Sequence, residues 1–107
     1  LKDFIYPNEN KKITVELIID IVSEHYEISS SDILSSKKSK NIAFPRQICM
    51  YLCRNLTEFS LEDIGKSLGN RDHTTILYGI QKIEKDIKTD RSLQNTIEVL
   101  IKKISPQ

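Results

Sequence analysis

Gly69-Asn70-Arg71-Asp72-His73-Thr74-Thr75-Ile76-Leu77-Tyr78-Gly79-Ile80-Gln81-Lys82-Ile83 is the stretch on which the fold turns. Gly69 ends a short amphipathic segment, and Asp72 is placed to cap the helix that follows. Ile76, Ile80, Ile83 and Ile87 recur at helical steps and predict a buried seam. Arg71, Asp72, His73, Thr74 and Thr75 crowd the first turn, all polar and none on the seam. Asp, His, Thr and Arg match different donors and acceptors in a major groove, so this turn suits the reading of base edges. The free N–H groups of a helix start also suit a phosphate. Upstream, Ser60-Leu61-Glu62-Asp63 has the form of a capping box, with Leu61, Ile64 and Leu68 on a buried face and Gly65 open to close helix approach. A short helix, a glycine turn and a helix with a polar start make a helix-turn-helix unit.

Arg71-Asp72-His73-Thr74-Thr75, followed by an apolar pair, resembles the signature of the bacterial chromosomal replication initiator family, DnaA, in its C-terminal duplex-binding domain. Phe44-Pro45-Arg46-Gln47-Ile48-Cys49-Met50-Tyr51-Leu52 resembles the same family at the expected distance upstream. The similarity runs from about Ile13 to the end. Asn70 stands where the family usually has a second glycine, Lys38 where it often has arginine, and Tyr78 where it often has histidine. Asn accepts positive φ better than other non-glycine residues, so the turn is expected to survive.

The rest of the chain fits one all-α domain. Its 107 residues suffice for one modest core, and 38% hydrophobic with 29% charged residues describes a soluble globular protein. No apolar run approaches the ~20 residues of a membrane span, and Leu1 to Asn10 does not read as a signal peptide. Residues 1–12 read as a linker stub, and 13–107 as the helix-turn-helix domain. Thr14 is expected to cap a first helix to about Tyr26, with Leu17, Ile18, Ile21, Val22 and His25 on its stripe. Ser30 or Ser31 is expected to cap a short turn through Leu34. Asn41 is expected to cap a helix with Pro45 in its first turns, burying Ile42, Cys49, Leu52, Cys53 and Leu56. A last helix starts near Asp90, with Leu93, Ile97, Leu100, Ile101 and Ile104 as its seam. The expectation is about six helices, and the resemblance implies a helix-turn-helix of the Trp-repressor type.

Net charge is only +1, from 16 basic and 15 acidic residues, but it is segregated. From Ile33 to Thr57 there is no acid, while Lys37, Lys38, Lys40, Arg46 and Arg54 are present. Acids dominate between Glu9 and Asp32. A basic face on a near-neutral protein is an electrostatic footprint for nucleic acid. Read alone, Ser35–Lys40 is equally a solvated loop or an arm for a narrow minor groove. The resemblance favours the arm, led by Lys38.

Enzymatic chemistry finds little support. Asp72 and His73 are adjacent, and helical neighbours point about 100° apart, so they form no proton relay. No Walker loop or dinucleotide fingerprint occurs. Cys49 and Cys53 lack the spacing and second pair of a zinc site and read as buried thiols, in keeping with a reducing cytoplasm. No catalytic or metal residue is assigned, and the chain is expected to be cytoplasmic. By resemblance, ATP belongs to a separate AAA+ domain absent from this chain.

The resemblance also assigns contacts. It implies base contacts for Lys38 (in the minor groove), Arg46, Gln47, Asp72, His73, Thr74 and Leu77. It implies phosphate contacts for Lys40, Arg54, Thr57, Ser60, Leu61 by its N–H, Thr75 and Tyr78. Arg71 either holds a phosphate or pairs with an acid to fix the turn. The implied function is sequence-specific binding of double-stranded DNA at replication-origin sites, DnaA boxes. A helix-turn-helix transcription regulator is the second reading, and a helical protein-interaction module the third. The isolated domain is expected to be a monomer. The parent protein is expected to self-assemble at the origin, and the stub to make at most a weak acidic-lipid contact.

Overall fold

In a computed structural model, which describes residues 13–106, side-chain acceptors set most of the helix starts. Thr14 Oγ1 accepts from the N–H of Leu17 at 3.1 Å and opens α1, Val15–Tyr26. Ser29 Oγ accepts from Asp32 at 3.0 Å and opens α2, Ser30–Leu34. Helix α3, Lys40–Leu56, follows Ser39, which makes no side-chain cap bond. Ser60 Oγ accepts from Asp63 at 3.1 Å and opens α4, Leu61–Ser67. Asp72 Oδ1 accepts from Thr75 at 2.9 Å and opens α5, His73–Ile87. Asp90 Oδ1 accepts from Leu93 at 3.0 Å and opens α6, Arg91–Ile104. Each cap satisfies an N–H that the helix itself leaves without a partner. The described residues thus form six helices and no strand, the all-α fold expected. The expected stub at residues 1–12 lies outside the described residues.

Three local expectations change. The cap of α2 is Ser29, because Ser30 Oγ is engaged with Asp20 Oδ1 at 3.1 Å and Ser23 Oγ at 3.2 Å. Helix α3 starts at Lys40, so Asn41 is already inside it. His25 is exposed, while α1 buries Val15, Ile18, Ile19, Val22 and Ser23. Ser23 can face inward because its hydroxyl donates to Asp20 O at 3.0 Å and meets Ser30 where α2 closes on α1. His25 sits outside that stripe, with its ring edge-on to Tyr26 at 5.0 Å between centroids.

Helix α3 is the central post. It packs most extensively on α5 and α1, also touches α2 and α4, and is buried along Ile42, Ile48, Cys49, Met50, Leu52 and Cys53. Helix α4 packs on α5, and α6 closes the other side against α1 and α5. One cluster results, including Ile18, Val22, Ile33, Ile48, Leu52, Ile64, Ile76, Ile83 and Leu100. Each such fully buried aliphatic side chain contributes roughly 1.5–3 kcal/mol. The crossing of α3 and α5 is close because Gly79 is buried at it. A Cβ there would strike Met50 Sδ and stand 3.3 Å from Gln47 Cγ.

Candidate nucleic-acid interface

The turn between α4 and α5 is built by backbone contact. Leu68 ends α4, and Gly69 and Asn70 follow at φ 78° and 63°. Asn70 therefore takes the left-handed conformation expected of it. The Arg71 N–H donates to Gly65 O at 2.8 Å. A Cβ on Gly65 would collide with the Arg71 carbonyl oxygen, so glycine is what lets the turn lie on α4.

From this turn α5 projects with one face sunk in the core through Ile76, Ile80 and Ile83. Its first turn, His73, Thr74 and Thr75, is exposed, as are Leu77 and, at 63%, Tyr78. Asp72 is exposed while capping. The N–H of Thr75, then the Thr75 side chain, hold its carboxyl below the usual aspartate range. A carboxylate has acceptor sites beyond the one that the cap uses, so capping and base contact are compatible.

Residues 35–39 form the basic arm between α2 and α3. Lys38 and Lys40 are exposed, and Lys37 pairs with Asp32 at 2.9 Å. Arg46 departs from expectation. It is only 5% exposed, and its guanidinium is committed to the backbone of α2 and the arm. Nε donates to Ile33 O at 2.7 Å and Nη1 to Lys37 O at 2.8 Å. Nη2 donates to both Asp32 O and Ser35 O at 3.0 Å. Burial, then the neighbouring Arg71 guanidinium, lower its pKa. With four of five donors spent on carbonyls, Arg46 is held against α2 and the arm and keeps one N–H unused among the described residues. Arg71 is half-buried and also takes carbonyls, Leu68 O at 2.5 Å through Nη1 and Ser35 O through Nη2. Both of these acceptors are backbone oxygens, where the expectation was a phosphate or an acid.

Two depressions flank the start of α5. The first, about 540 Å³, lies between the arm, α3 and α5, and brings together Lys38, Gln47, Thr75 and Tyr78, with Arg46 and Arg71 in its wall. The second gathers Arg54, Ser60, Leu61, Asp72 and His73. Lys40, Thr57, Thr74 and Leu77 line neither depression. The Thr57 hydroxyl already donates to Cys53 O at 2.5 Å, so a phosphate would have to displace that bond. Lys66 and Asn70 line the second depression and were not expected there. Lys66 is detectable as the exposed cation of α4, but only the turn geometry places Asn70 beside it. Glu62 also lines this depression and sets a negative charge at its edge. Among the described residues, no cluster of His, Cys, Asp or Glu is placed to hold a metal. No described helix is long and apolar enough to cross a membrane.

The bacterial DnaA protein helix-turn-helix family matches residues 15–83. The chromosomal replication initiator protein DnaA of Lachnoclostridium phytofermentans is 62% identical over 106 residues, covering 99% of this chain. The chain spans 23% of that relative's length. A solved structure described as a DNA replication initiation factor superposes with a TM-score of 0.76 at 32% identity, covering 84% of this chain and 27% of that one. The two motifs on α3 and α5, the helix order and these matches agree, and the chain belongs to the bacterial DnaA helix-turn-helix family.

Proposed function

We propose that this chain binds double-stranded DNA sequence-specifically, at DnaA boxes of a replication origin. The observation that carries the reading is the exposed, Asp72-capped start of α5, which lies between the basic arm on one side and Arg54 on the other. A helix start of that kind fits a major groove, and the arm fits the adjoining minor groove. Asp72, His73, Thr74 and Leu77 meet bases in the major groove, Asp72 accepting from a cytosine amine and Thr74 or Leu77 touching thymine methyls. Lys38 reads the minor groove, and Gln47 holds a base edge or the backbone. Lys40, Arg54, Ser60, the Leu61 N–H, Thr75 and Tyr78 hold phosphates, which set register and affinity. Thr57 joins them if its hydroxyl leaves Cys53.

The chain acts as a monomeric, cytoplasmic, nucleoid-associated module of a larger initiator. That parent assembles at the origin and binds ATP in a separate AAA+ domain, and contact with acidic lipid is confined to the stub. The test is a competition titration of a DnaA-box duplex against a scrambled one. His73→Ala and Asp72→Asn are expected to lose most of the discrimination, tenfold or more each at about 1.4 kcal/mol per decade, with low-salt non-specific binding kept. Wild-type discrimination in both variants would show that α5 is not the reading element.

A further inference from the structure

The carbonyl of Ser35 receives two guanidinium groups that come from different parts of the fold. Arg46 reaches it from α3 at 3.0 Å, and Arg71 reaches it from the helix-turn-helix turn. A carbonyl oxygen has two lone pairs, so these two donors use its full capacity. Two like charges are thereby brought to one neutral atom. The hydrogen-bond partners of both guanidiniums among the described residues are backbone carbonyls, not carboxylates. This arrangement is costly to hold for stability alone, because a buried cation such as Arg46 and a half-buried one such as Arg71 must be matched by well-aimed acceptors. What it accomplishes is geometric. Arg46 takes up the carbonyls of residues 32, 33, 35 and 37, and Arg71 ties residue 35 to Leu68 at the end of α4. Gly69 adds a third tie. At φ 78° it lies so close to the Leu34 carbonyl that any Cβ would strike that oxygen and Arg71 Nη1. The first residue of the arm is thus bound to the turn that launches α5, across 36 residues of sequence.

We infer that Arg46 and Arg71 are positioning residues which lock the basic arm to the reading helix at one fixed offset, so that minor-groove reading by Lys38 depends on both through the arm. The inference rests on the duplex-binding reading above. The arm is anchored at Ser35 and Lys37, while Lys38 itself is exposed. Lysine in place of either arginine keeps the charge but loses the planar fork that holds several carbonyls at once.

The test has a DNA-free arm and a DNA arm. In the free protein, backbone amide relaxation is measured at Ser36, Lys37 and Lys38 in wild type, Arg46→Lys and Arg71→Lys. Order parameters are expected to fall from about 0.85 to below about 0.6 in both variants, with α3 and α6 unchanged. Unchanged order in both variants would overturn the lock, and the two substitutions probe the junction independently if one of them fails to fold. In the DNA arm, a DnaA-box duplex is substituted one base pair at a time. Lys38→Ala marks the arm-dependent pairs and His73→Ala the helix-dependent ones. Arg46→Lys and Arg71→Lys are expected to lose about tenfold discrimination at arm-dependent pairs and to stay within about twofold at the others. In a Lys38→Ala background they are expected to add nothing at the arm-dependent pairs. Equal losses with and without Lys38 would mean that the arginines act on DNA directly, which overturns the inference. If wild type itself fails to distinguish box from scrambled duplex, the duplex-reading proposal falls, while the relaxation result still decides the lock.

Discussion

Gly65 and Gly79 are both buried helix glycines, yet the same change to alanine should be nearly neutral at one and destabilising at the other. Alanine in a helix interior is favoured over glycine by ~1 kcal/mol, and both positions would gain that. At Gly79 the new Cβ meets Met50 Sδ, the end of a flexible side chain, and stands 3.3 Å from Gln47 Cγ. Met50 can rotate away, and a shift of a few tenths of an ångström suffices for Gln47, so the net change should lie within ~1 kcal/mol of zero. At Gly65 the Cβ meets the Arg71 carbonyl oxygen, a backbone atom, with the Arg71 carbonyl carbon at 3.1 Å. No rotamer relieves that overlap. The turn must move off α4, at the upper end of the ~1–3 kcal/mol typical of overpacking. The 2.8 Å bond from the Arg71 N–H to Gly65 O goes with it, for a further ~1 kcal/mol. Net destabilisation by Gly65→Ala is therefore about 2–3 kcal/mol, a fall of roughly 10–20 °C in Tm for a domain of this size. Urea and thermal unfolding by circular dichroism measure both variants. Equal stability of the two, or a Gly65→Ala protein as stable as wild type, would refute the close approach of turn and helix on which the reading surface is built.

Lys38→Ala should weaken binding to a DnaA-box duplex by ~1 kcal/mol or more and lower the salt slope by about one counterion, read from titrations at several ionic strengths. Cys49 and Cys53 are fully buried, and burial pushes the Cys49 thiol up and the Cys53 thiol up to about 12. Alkylation by iodoacetamide at pH 8 should therefore track unfolding and rise only when urea opens the core. The Asp72 carboxyl is held below its ordinary 3.8 in the folded chain by the N–H of Thr75. Its stabilising cap is then complete above that ordinary value and lost as pH falls through the lowered one. The Thr75 amide shift in NMR should titrate with a midpoint below 3.8, and a midpoint above it would contradict the cap.

Features set by neighbours in sequence were legible. Thr14, Ser60, Asp72 and Asp90 mark helix starts because a cap needs only a side chain and an N–H two or three residues on. The Gly69–Asn70 turn and the Ile76, Ile80, Ile83 seam were readable for the same reason. Ile87, at the end of that seam, is only partly buried. The stripe of α1 was read one step off, because apolar residues line several of its faces and the helices packed on it, chiefly α3 and α6, select among them. The burial of Arg46 was hidden for a deeper reason. On its helix it looks like a surface cation, and its acceptors are carbonyls 9 to 14 residues earlier in the chain, to which sequence patterns are blind. The Arg71 bond to Ser35 reaches an acceptor 36 residues away and was equally hidden.

The carbonyl clasp around the arm also has a bearing on the heat and entropy of association. An unanchored stretch from Ser35 to Lys38 would forfeit roughly 4–8 kcal/mol on becoming ordered, at about 1–2 kcal/mol per residue. Here that ordering belongs to folding, since Arg46 and Arg71 already hold the stretch without a ligand. Little conformational freedom remains to be given up on contact with a duplex. A stiff two-pronged gauge of this kind does not stretch to follow its target, so any mismatch in groove width or helical twist must be absorbed by the DNA. The energy of that deformation depends on base steps that no side chain touches.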